Sequence, residues 1–177
     1  MFKIGDKVVY PMHGAGTIES IEERDMMGCK ENYYIIKMPV GGIKLMLPTC
    51  KADNIGIREV VSKCDSDGVF KVLEKQKQPY VHDTNWSKRY NTNVDKIKSG
   101  NIYEVAEVVR DLSHRHMERG LSIGEKKMLN SAKNILLSEL VLSQEQNQES
   151  LCCQIDDTIK TSYSCSCKAT DDNNINS

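Results

Sequence analysis

Trp86 is the only tryptophan in 177 residues, and it stands in Asn85-Trp86-Ser87-Lys88-Arg89-Tyr90-Asn91. A large flat ring beside two cations is suited to holding a nucleic-acid backbone while pressing against bases. Cations neutralise phosphates, and an apolar side chain wedged at a base step unstacks it. A core tryptophan normally has apolar neighbours at helical spacing. Here His82, Asp83, Thr84 and Asn85 precede the ring, and Ser87, Lys88 and Arg89 follow it. Taken alone, those residues are more readily read as an aromatic anchor at a helix start in an interdomain seam. The cations further along favour the first reading. Lys126 and Lys127 fall in the opening turns of a predicted helix, where backbone N–H groups also attract phosphate. Lys96, Lys98, Arg115 and Arg119 add charge. The sequence has no recognisable helix-turn-helix core, so base reading in the major groove is not supported. Phosphate contacts plus one ring predict binding that is weakly sequence-dependent and strongly salt-dependent.

Other chemistry is poorly provided for. His114 and His116, two apart on a predicted helix, point to different sides and cannot share a metal. There is no GxSxG, Walker loop, HExxH or helix-opening GxGxxG, and Gly14-Ala15-Gly16 lacks a phosphate-loop lysine. The chain is therefore not read as an enzyme, and no cofactor or metal is expected. Cys152-Cys153 and Cys165-Ser166-Cys167 lack the two-residue spacing that lets two thiolates reach one tetrahedral ion. Cys29, Cys50 and Cys64 are scattered and read as free thiols, buried or half-buried. Tyr10, Tyr33 and Tyr34 would suit an aromatic cage for a methylated cation, but in a small barrel such residues more commonly fill the core.

Two modules must position these groups. Residues 1–61 read as short strands: Lys7–Tyr10, Thr17–Glu22, Tyr33–Met38, Ile43–Pro48 and Ile55–Val61. They are separated by turns at Gly14-Ala15-Gly16, Met27-Gly28-Cys29-Lys30 and Gly41-Gly42. Too few for two stacked sheets, they predict a small barrel of the Tudor or SH3-like kind. An open barrel leaves a strand edge that can take a partner's strand, and Arg24 or Lys44 can add a charged contact.

Residues 62–143 are helical by period. Asp65 or Ser66 is expected to cap a helix ending near Gln78-Pro79, and a second helix runs from about Asn85 to Lys98 before Gly100. Asn101 with Glu104, and Ser122 with Glu125, read as capping boxes. Ile102, Val105, Ala106, Val109 and Leu112 form one apolar stripe, and Leu129, Ala132, Ile135, Leu136 and Leu140 another. Residues 144–177, polar and acidic, read as a disordered tail.

Charge is unevenly distributed. The net value is −1 over residues 1–70, +5 over 71–138 and −5 over 139–177, which points to separate tasks for separate segments. No signal peptide and no run of ~18 apolar residues is visible, so a cytoplasmic protein is expected. Nothing resembles a dimerisation heptad, and a monomer is expected.

The stretches GDKVVYPMHGAGTI, NIGIREVV, TNWSKRYN, VAEVVRDL and ERGLSIGEK, in that order over about residues 1–142, resemble the CarD family of bacterial transcription regulators. The resemblance implies a Tudor-like module that docks on the RNA polymerase β subunit. It also implies a helical module that meets promoter double-stranded DNA at the upstream edge of the bubble. There a tryptophan matched by Trp86 wedges into the minor groove and stabilises the open complex. Lys88 and Arg89 match the basic residues beside that wedge, and Arg24 matches a polymerase-contacting arginine. Met46 stands where some relatives carry a second such arginine, so polymerase docking there is less electrostatic. Asn91 replaces a basic residue, and the cysteine-containing tail has no counterpart. Two alternatives remain at this point: a polymerase-docking adaptor whose helical module binds a protein, and a redox or metal switch through the tail cysteines.

Overall fold

The computed structural model describes residues 1–26, 29–76 and 85–171, with backbone alone for residues 26, 29 and 166–171. Of the turn expected over Met27–Lys30, residues 27–28 lie outside the described residues, and Cys29 and Lys30 already open a strand. The first helix, expected to reach Gln78-Pro79, ends earlier, at Glu74, with Lys75 as its C-cap.

Five strands form one antiparallel sheet: β1 (Lys7–Tyr10), β2 (Gly14–Met26), β3 (Cys29–Lys37), β4 (Lys44–Pro48) and β5 (Arg58–Glu59), in the order β4-β3-β2-β1-β5. Alternation places Val8, Ile18, Tyr34, Ile36 and Leu47 together with Met38 and Ala52 in one apolar cluster. A register shift between Ile18 and Ser20 marks a bulge in the long β2. The strand expected over 55–61 is shorter than its composition implies. Ile55 closes a helical turn, α1 (Ala52–Ile55), stopped by Gly56 at φ +78°, and only Arg58 and Glu59 pair with β1.

The helices are α2 (Lys63–Glu74), α3 (Trp86–Lys98), α4 (Ile102–Arg119), α5 (Ile123–Gln144) and α6 (Gln148–Asp171). Ser62, not Asp65 or Ser66, caps α2: its side chain accepts from the Asp65 backbone N–H at 3.2 Å. Ser66 is instead buried, its hydroxyl donating to the Lys63 carbonyl. At Asn101 only half of the expected box forms. The asparagine accepts from the Tyr103 N–H, but Glu104 accepts from the Ser99 hydroxyl rather than from the cap backbone. At Ser122 and Glu125 both halves are present.

The segment expected to be a disordered tail is α6, docked on α2, α4 and α5. Leu151, Ile155 and Ile159 recur every four residues and are buried in the same core as Val69, Leu73, Val109, Leu136 and Leu140. Lys133 on α5 grips Asp156 at 2.6 Å, and Asn147 accepts from the Glu149 N–H where α6 begins. Its polar composition is that of an exposed face. One apolar stripe suffices because the bundle presents a matching face. Cys50 and Cys64 are exposed, contrary to expectation, because each occupies the outer side of a helical turn.

The sheet meets the helices almost entirely along the second half of α5. Glu139, whose side chain is 2% exposed, takes both guanidinium nitrogens of Arg58 from β5, at 2.6 and 2.9 Å. It also accepts from the Val61 N–H. Arg58 donates onward to the Gly100 carbonyl between α3 and α4. One residue away, the Ser138 hydroxyl accepts from the Ala15 N–H at 2.8 Å. The backbone comes this close because Gly14, at φ +100°, carries no Cβ; one built there would lie 2.4 Å from the Ser138 oxygen. At the end of α5, Lys7 donates to the Leu142 carbonyl and pairs with Glu145, holding that carboxyl below its usual range.

Replacing Arg58 by alanine leaves a buried carboxylate without its cation. The Arg58→Ala variant is expected to lose about 3 kcal/mol of unfolding free energy in a urea titration. A loss under about 1 kcal/mol, the range of an exposed pair, would show that the seam does not depend on this bridge.

Candidate nucleic-acid interface

Trp86 is the first residue of α3. Asn85 caps the helix by accepting from the Ser87 N–H at 3.0 Å, which fixes where the indole leaves the backbone. One turn later Tyr90 lies under it, with ring centroids 5.1 Å apart and planes 27° from parallel. Both rings rest on the first turn of α5: a Cβ built at Gly124 would lie 3.7 Å from Tyr90 and 3.9 Å from Trp86. The indole is thus supported from below and remains 45% exposed, and beside it Ile123 is 78% exposed. The indole is not sealed inside the helical core.

The sequence-selected cations divide into two groups. Lys88, Lys126 and Lys127 are exposed. Lys126 and Lys127 come two and three residues after Gly124, so they stand next to the turn that carries the rings. Arg89 lies inward, 16% exposed, with Nη2 at 3.9 Å from Glu125. Arg115 of α4 approaches the same carboxylate at 3.5 Å, and Lys96 is held by Glu107 at 2.8 Å, which keeps the Glu107 carboxyl below its usual range. Glu125 itself was read from the sequence only as a helix cap. Tyr90 carries a signal of its own in the sequence, because an aromatic four residues after another on a helix is placed to stack on it.

The second candidate surface is on the sheet. Register pairs Arg24 with Glu31, Glu22 with Tyr33, and both Ser20 and Met46 with Ile35. Cross-strand partners share a face, so Arg24 on β2 and Met46 on β4 stand on the same side, with Tyr33 and Ile35 between them. Arg24 is exposed and paired with Glu22, and Met46 is 48% exposed on the edge strand β4. Lys44, on the same strand, is paired with Glu19.

The remaining constellations are structural. Tyr33 and Tyr34 are buried, and Tyr10 packs on His13, so no aromatic cage is open. His114 is buried against Ser162 of α6 while His116 is exposed, on different sides of α4 as their spacing requires. Among the described residues no group of three His, Cys, Asp or Glu side chains is placed to hold a metal. No helix among them is long and apolar enough to cross a membrane.

Because the indole is half outside, removing it should cost little more than its stacking. Trp86→Ala is expected to lose about 1 kcal/mol of stability, a drop of about 3 °C in thermal midpoint for a chain of this size. A drop of the order of 10 °C would mark the ring as part of the core.

Comparison with known proteins follows the same division. Residues 2–61 match the family model described as the CarD-like/TRCF RID domain, and residues 68–156 match that of the CarD C-terminal domain. "Putative transcription factor YdeB" of Bacillus subtilis (strain 168) is 43% identical over 140 residues, covering 79% of this chain and 90% of that protein. With both models matched in tandem, one over the sheet and one over the helices, and a relative this similar along most of both chains, the chain belongs to the CarD family.

Proposed function

We propose that this protein is a transcription regulator that docks through its sheet on the RNA polymerase β subunit and uses Trp86 to stabilise the open promoter complex. The observation that carries the reading is the half-exposed indole, braced by Tyr90 and Gly124 and followed along α5 by Lys126 and Lys127. A braced ring is an effective wedge because little rotational freedom remains to be lost on contact. Lys88, Lys126 and Lys127 neutralise phosphates on the flanking duplex, and the ring enters at the upstream edge of the bubble. Each stacked ring is worth about 1–3 kcal/mol, so one residue slows bubble collapse by about ten- to a hundredfold at ~1.4 kcal/mol per decade.

Docking supports the contact by raising its local concentration. The sheet offers an open β4 edge for strand addition, and the face carrying Arg24 and Met46 adjoins it. Arg24 supplies the charged contact and Met46 an adaptable apolar one. The protein acts as a monomer in the cytoplasm, at promoters occupied by polymerase, and the reading requires no catalytic step and no cofactor.

Two measurements test this. Trp86→Ala is expected to leave polymerase affinity unchanged and to shorten open-complex lifetime about tenfold or more, read by challenge with a competitor in an in vitro transcription assay. An unchanged lifetime removes the wedge. Arg24→Glu is expected to weaken polymerase binding at least tenfold while the thermal midpoint holds, as for a charge reversal in a docked patch. Equal affinity places the contact elsewhere on the sheet.

A further inference from the structure

Glu125 is 5% exposed, directly beneath the turn that carries the rings. Its Oε2 accepts from the Ser122 backbone N–H at 3.1 Å and from the Ser122 hydroxyl at 2.9 Å. Its Oε1 faces Arg89 of α3 at 3.9 Å and Arg115 of α4 at 3.5 Å, side chains only 16% and 15% exposed. One carboxylate thus ties three helices together. The cap does not account for the charge, because glutamine serves equally at this position of a capping box. The charge is accounted for by the two guanidiniums. Glutamine in its place would remove an anion from between two guanidiniums that have little access to water.

Arg89 is three residues after Trp86 and one before Tyr90. Whatever holds the Arg89 side chain inward therefore sets the rotation of the first turn of α3, and with it the seat of both rings on Gly124. We infer that Glu125 is a positioning residue for the Trp86 wedge, and that Arg89 serves the wedge through Glu125 instead of gripping a phosphate. The inference rests on the wedge reading for its effect on lifetime. Its effect on the indole stands without that reading.

The test uses the full chain and two substitutions. Glu125→Gln keeps the volume and the cap and removes the charge. As Trp86 is the only tryptophan, intrinsic fluorescence reports its seat directly. The expected results for Glu125→Gln are a rise in acrylamide quenching of Trp86 and a shorter open-complex lifetime, approaching that of Trp86→Ala. In addition, the plot of log affinity against log salt for duplex DNA should steepen by about 0.9, the increment for one added phosphate contact, as Arg89 swings out. A loss of stability alone would not steepen that plot.

Arg89→Ala is the second arm and holds even if Glu125→Gln folds poorly. Its salt plot should keep the parent slope, while Lys126→Ala should flatten it by about 0.9. Flattening by Arg89→Ala would overturn the inference, as would unchanged quenching in a folded Glu125→Gln protein. If quenching responds but Trp86→Ala leaves lifetime unaltered, positioning stands and the wedge reading fails.

Discussion

The arrangement depends on a single buried ionic bridge, Glu139 with Arg58. The carboxylate is almost wholly removed from water and draws its partners from separate parts of the chain: a guanidinium on β5, the Val61 amide after it, and, through the arginine, the Gly100 carbonyl between α3 and α4. A buried ion pair is weak evidence of stability, since burying both charges costs about as much as their attraction returns. Its consequence is directional. A hydrophobic seam tolerates sliding, whereas a bidentate pair with a third acceptor has one arrangement that satisfies every donor. Ala15 against Ser138, permitted by Gly14, fixes the same helix at a second point one residue away. The angle between sheet and helices is thereby determined by hydrogen-bond geometry.

That constraint makes α5 a strut. Its first turn seats the two rings and the Glu125 cluster, and its second half holds the sheet. Fourteen residues separate Glu125 from Glu139, about 21 Å of helix. Each end is fixed by a buried carboxylate facing arginine, and between them Met128, Ala132, Ile135 and Leu136 are locked in the core. The sheet is therefore rigidly coupled to the helices that carry the ring. Coupling of that kind turns a weak contact into an effective one, because the second encounter occurs at the concentration set by the strut and is not diluted over the range of a flexible linker.

Much of this was legible in the residues. Lys7–Tyr10 and Tyr33–Met38 read as strands because β-branched and aromatic residues cluster there. Asn85, Gly100 and Ser122 mark helix ends by the ordinary chemistry of caps. The tail is harder to read because its composition masks its period: Leu151, Ile155 and Ile159 are few among polar residues, yet they align once wound. Side-chain direction was harder to read. Lys88 and Arg89 are adjacent and similarly charged, and only the three-dimensional neighbourhood sends one outward and the other towards Glu125. The partner of Arg58 lies 81 residues away, a separation across which no local pattern operates.

The helix start at Ser122 shows how far local chemistry is reused. A bare helix N-terminus attracts phosphate through unsatisfied amides and the positive end of the dipole. Here the Glu125 amide is satisfied by the Ser122 hydroxyl, and the Glu125 carboxylate sits inside the same turn. That lessens the pull of the bare helix end, and the positive charge next in line is on the exposed side chains of Lys126 and Lys127, carried on flexible stems. Rigidity is confined to the rings, whose seat is set by Asn85, Gly124 and the buried cluster. In the function proposed above, that division would leave the ring fixed in place while the charged contacts adapt to the duplex presented.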